Sequence, residues 1–128
     1  MKEQHIYLKD LINDLNSWAS ELDLQKEQIS IYENRLAEVL QANSKQEVRA
    51  RGEQFQNKLI RQREVIDILH HDMKLEKQRH AEFAKDHPIA IDHVYFKDHK
   101  ELRDRIFTNS DIFRSFRNEF YAYIEKWI

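Results

Sequence analysis

One glycine and one proline are the only residues of their kind in 128, where average usage runs at roughly 7% and 5%. Glycine supplies positive-φ turns and proline pre-sets them, so a chain this poor in both reverses direction rarely. Long helices are the structures that need few reversals. The 41% hydrophobic and 34% charged composition suits narrow apolar seams flanked by wide solvated faces. The chain reads as all-α.

Apolar residues recur at alternating three- and four-residue steps. The first seam runs Leu8, Leu11, Leu15, Trp18, Leu22, Gln25, Ile29, Tyr32, Leu36, Val39, Asn43. The second runs Val48, Gly52, Phe55, Leu59, Gln62, Ile66, Leu69, Met73, Glu76, His80, Phe83. The third runs Tyr95, His99, Leu102, Ile106, Asn109, Phe113, Phe116 or Arg117, Phe120, Ile124, Trp127. Each is a heptad-like stripe of the kind that zips helices together. Between the first two lies "QANSKQEV", where Ser44 and Glu47 have the spacing of a capping box. Between the second and third lies "AKDHPIAID", where Pro88 disfavours helix at His87 and suits the start of a new one.

The expected architecture is one domain, 1–128, with helices about 4–43, 46–86 and 89–127. It is an elongated antiparallel three-helix bundle or coiled coil, up-down-up, with about 40 residues per helix. Its shape is similar to a spectrin-type repeat, without that family's sequence signature. A restart of the first helix near residues 22–24, capped by Ser20 or Asp23, is the alternative to one continuous helix. Residues 5–43 hold three basic and seven acidic side chains, a net of -4, and residues 46–86 hold nine and eight, a net of +1. That imbalance favours pairing of the first two helices, weakly after screening.

Reversal about the two turns sets residue n of the first helix near 89 - n of the second, and residue m of the third near 175 - m. Gly52 then faces Tyr123 and Phe120, which makes it a packing residue. Gln25, Gln62 or Ile66, and Asn109 fall near one level, and Gln25, Gln62 and Asn109 read as a polar core layer of the kind that specifies register. Glu76 meets His99 and Asn13, with Asp10 or Asp14 close by, and His80 meets Tyr95.

"HHDMKLEKQRH" (70–80) poses the chemical question. His70 and His71 point about 100° apart, whereas Glu76 and His80 are one turn apart on the seam. Glu76, His80 and His99 are therefore candidate ligands for zinc, iron or manganese. Ferritin-like bundles instead carry Glu-x-x-His on two helices, and only "EKQRH", with spacing four, occurs here. A hydrogen-bonded polar layer is the leading reading and a metal ion the alternative; no other cofactor is expected. All seven histidines belong to this half of the rod.

A second stripe lies beside the third seam: Phe96, Phe107 and Tyr121 with Arg103, Arg114 and Arg117. It suits a homodimer or partner interface, and secondarily stacking on single-stranded nucleic acid. The alternating charges of residues 49–64 read as a solvated helix face. Net charge is -2 and cysteine is absent, so neither a global basic field nor thiolate chemistry is available. No phosphate loop, nucleophile elbow or zincin motif occurs. No run of 18 apolar residues and no signal-type N-terminus is present. The expectation is a non-enzymatic cytoplasmic protein, without membrane or nucleic acid, that works by binding itself or a protein partner.

Overall fold

A computed structural model describes residues 8–86 and 93–128. They form α1 (Leu8–Ala42), α2 (Gln46–Asp86) and α3 (His93–Trp127), rods of roughly 50–60 Å at 1.5 Å per residue. The fold is the expected all-α three-helix bundle. Residues 4–7 and the Pro88 turn lie outside the described residues.

Cross-helix pairs fix the topology. Asn16–Lys77, Asp23–His70, Lys26–Asp67 and Glu33–Arg63 descend along α2 as they ascend α1. Asp72–Arg105 and Lys58–Glu119 do the same between α2 and α3. Gln25–Asn109, Tyr32–Tyr121 and Asn43–Trp127 ascend together, so α1 and α3 are parallel. The α1–α2 pairs sit one to two turns off the 89 - n rule. Side chains on both helices lean towards their own N-termini, so partners in an antiparallel pair converge from different levels.

α1 is continuous, and no restart occurs at 22–24. Leu22 is fully buried, and the Ser20 hydroxyl donates to the Asn16 carbonyl at 3.1 Å instead of capping a new helix. The capping box is not the device that starts α2. That helix begins at Gln46, and the carbonyl accepting the first bond, 3.1 Å from the Arg49 amide, belongs to Lys45. Arg49 also closes the turn from the other side. Its guanidinium donates to the Leu40 carbonyl at 2.9 Å and the Asn43 carbonyl at 3.4 Å, placing a cation on the negative end of α1.

Among the described residues, the predicted seams supply the core. Leu22, Ile29, Val39, Phe55, Leu59, Ile66, Ile106 and Phe120 are almost completely enclosed, each worth about 1.5–3 kcal/mol of apolar burial. Near the α1–α2 turn the core is aromatic: Phe55, Phe116, Phe120 and Tyr123 pack with ring centroids 5.0–5.9 Å apart. The seam differs from expectation at its end, where Tyr123 is buried and Ile124 is only half-buried. Gly52 explains the exchange. Its missing side chain leaves room for the Tyr123 ring, whose hydroxyl donates to the Val48 carbonyl at 2.7 Å.

Candidate functional site

In the other half of the rod three polar side chains are buried among the apolar ones. Glu76, His80 and His99 are all buried, His80 completely. Candidate ligand atoms from the three lie within 4.8 Å of one another. The i,i+4 spacing puts Glu76 and His80 on the same face of α2, with Glu76 Oε1 3.7 Å from His80 Nε2. That is an electrostatic contact, too long for a hydrogen bond. His99 comes from α3, its ring centroid 6.2 Å from that of His80.

α1 supplies the support for His99. Asp14 Oδ2 lies 3.0 Å from His99 Nε2, and the Trp18 ring stacks on the imidazole at 4.9 Å. Asp14 and Trp18 are four residues apart and reach the same ring from one helix face. The register placed Asn13 here with Asp14 as a neighbour. Both residues are exposed, but Asp14 occupies the α1 flank facing α3 and reaches His99 from there.

Burial sets the protonation states. It pushes the Glu76 carboxyl up to about 7, against the opposing pull of the Arg79 guanidinium. Burial also pushes His80 down to about 4, reinforced by His99 and Arg79. His99 is lowered by burial against the hydrogen bond it donates to Asp14. Both imidazoles are therefore neutral at pH 7. Among the described residues, neither carboxylate oxygen of Glu76 nor Nδ1 of His99 has a hydrogen-bond partner. A surface depression of about 270 Å³ between α2 and α3 is lined in part by Glu76, Arg79, Asp98 and Leu102.

His70 and His71 lie apart from this cluster. His70 Nε2 lies 2.9 Å from Asp23 Oδ1 at the α1–α2 edge. His71 is exposed, as is Asp10. The side chains of Tyr95 and Phe96, and residues His5 and His87, lie outside the described ones.

The polar core layer forms in mid-rod. Asn109 Nδ2 donates to Gln25 Oε1 at 3.0 Å, and Gln62 is buried on the same seam. Oε1 of Gln62 and Oδ1 of Asn109 accept nothing among the described residues. They lie beside an apolar depression of about 360 Å³ lined by Val65, Ile68, Leu69 and Ile112. The sequence reading did not single out this α2–α3 groove, since Ile68 and Ile112 fall outside the seams.

The described residues of the α3 stripe lie along the α1–α3 side. Phe107 and Tyr121 are about half exposed, and so are Leu24 and Ile31 on α1. The Tyr121 and Tyr32 hydroxyls bond at 3.1 Å, and Ser110 donates to Glu21 at 2.6 Å. These bonds place the four apolar side chains on one flank. Arg103 lies 3.8 Å from Asp104, and Arg114 lies 3.7 Å from Asp111. Arg117 is half-buried beside them.

No protein-family model, curated protein or solved structure matches this chain. Among the described residues no helix is long and apolar enough to cross a membrane.

Proposed function

We propose that this chain is a non-enzymatic helical module that works by protein–protein contact, and in the first place by self-association through its α1–α3 flank. The observation that carries this reading is the exposure of Leu24, Ile31, Phe107 and Tyr121 on that one side. Scattered apolar residues on a surface are ordinary, but four large ones along one flank are a contact surface. Charge supports a second copy as the occupant. The α1 segment is acidic, while Arg103, Arg114 and Arg117 lie along α3. A two-fold dimer lays each acidic α1 on the partner's basic stripe, which is the self-complementarity an isologous interface needs.

Sedimentation velocity over a wide concentration range tests the reading. A reversible dimer that dissociates in Leu24→Glu/Phe107→Glu supports it. A strict monomer at the highest concentration, or a dimer indifferent to those substitutions, removes it.

A further inference from the structure

We infer that Glu76, His80 and His99 bind one divalent transition-metal ion of the zinc class, with Asp14 as the residue that orients His99. Two imidazoles and a carboxylate are a zinc donor set that leaves a fourth position for water. Cysteine is absent, so a soft thiolate site of the copper(I) type is excluded.

Four features of the geometry converge. The three ligand groups come from two helices and lie within 4.8 Å of one another. Ligands on one zinc shell stand about 3.4 Å apart, by tetrahedral geometry at about 2.1 Å. The 3.7 Å between Glu76 Oε1 and His80 Nε2 is already close to that, and rotation of Glu76 and His99 closes the rest. Next, His99 has one nitrogen engaged by Asp14 at 3.0 Å, leaving Nδ1 as the donor. A carboxylate on the far nitrogen is the usual outer support of a metal-bound imidazole, fixing tautomer and ring orientation. Third, Glu76 is buried with neither oxygen hydrogen-bonded among the described residues. A bare carboxylate in that setting is costly, and a coordinated cation compensates it. Finally, the 270 Å³ depression that includes Glu76 gives an ion a route in from the α2–α3 surface.

The test uses the full chain, stripped with a chelator and dialysed, then titrated with Co²⁺ or Zn²⁺ alone. Cobalt is followed by its visible absorption and zinc by calorimetry. One ion per chain is expected, with the intense cobalt spectrum of a four-coordinate site. Glu76→Gln and His99→Gln should abolish that spectrum. Asp14→Asn should weaken binding by about 10-fold or more, as outer-shell changes do, and His71→Ala on the exposed face should change nothing. Glu76→Leu serves if Glu76→Gln does not fold, because it removes the ligand and the buried carboxylate together. Absence of binding overturns the site, and so does binding that survives in Glu76→Leu/His99→Leu. An Asp14→Asn variant of unchanged affinity overturns the role given to Asp14.

Discussion

Gly52→Ala is the most direct probe of the packing beside the α1–α2 turn. Alanine in the middle of a helix normally gains about 1 kcal/mol over glycine. Here the added methyl would come within 2.6 Å of Leu40 Cδ2 and 2.9 Å of the Tyr123 hydroxyl. Leu40 is half-buried and can rotate away. Tyr123 cannot do so freely, because its hydroxyl is held by the Val48 carbonyl. Displacing it costs the hydrogen bond, about 1 kcal/mol, and overpacking adds about 1–3 kcal/mol. The net expectation is a loss of about 1–3 kcal/mol, opposite in sign to helix propensity. Urea unfolding reads it as a lower midpoint at unchanged slope. Tyr123→Phe alone should cost about 1 kcal/mol for the lost bond. In that background Gly52→Ala should become neutral or stabilising, a coupling of about 2 kcal/mol in the double-mutant cycle. A higher midpoint for Gly52→Ala in the unmodified protein would refute the argument. Additivity of the two changes within about 0.5 kcal/mol would refute it too.

Acid stability without metal depends on opposing groups. His80 is lowered, so its contribution is present above the unfolded value of 6.5 and lost as pH falls towards about 4. Glu76 is raised, so its contribution is present below 4.5 and lost as pH rises through about 7. From about pH 4.5 to 6.5 the two proton counts cancel, leaving His99 to weaken the protein on acidification. Glu76→Gln removes the offset. With chelator present, its stability should fall more steeply than wild type's between pH 6.5 and 5, by up to about 1.4 kcal/mol per pH unit; equal slopes in urea midpoints would contradict this. Replacing Gln25, Gln62 and Asn109 together with leucine should raise the urea midpoint, because two buried acceptors lack partners and apolar replacement relieves them. A lower midpoint there would show that water or a neighbour satisfies the layer. Arg49→Ala should lower stability by about 1 kcal/mol through loss of its bonds to the end of α1, and an unchanged midpoint would assign the turn's closure to Asn43 instead.

Much of the fold was legible because the signals are local and repetitive. Heptad spacing reports which face of each helix is apolar, and scarcity of glycine and proline limits the turns. The level of Gly52 against Tyr123 followed from counting residues out of the turn. The helix start at Gln46 was less legible, since an arginine four residues into α2 closes the turn in place of the Ser44–Glu47 pair. The candidate site was legible only in part. Heptad register brings Glu76 towards His99, but choosing Asp14 over Asn13, and stacking Trp18 on the ring, depends on helix rotation. A rotation of a few tens of degrees decides such contacts, and periodicity does not resolve it.

By itself, then, the sequence determined three long helices, their order and antiparallel turns, and the residues along each seam. Those properties follow from backbone conformational limits and from the 3.6-residue period. Only the tertiary structure decided the protonation of Glu76, His80 and His99, because desolvation depends on what three separate helices enclose. It likewise decided that Leu24 and Ile31 share a flank with Phe107 and Tyr121, since α1 and α3 meet across more than 80 residues of chain and no local pattern records which of their outer faces coincide.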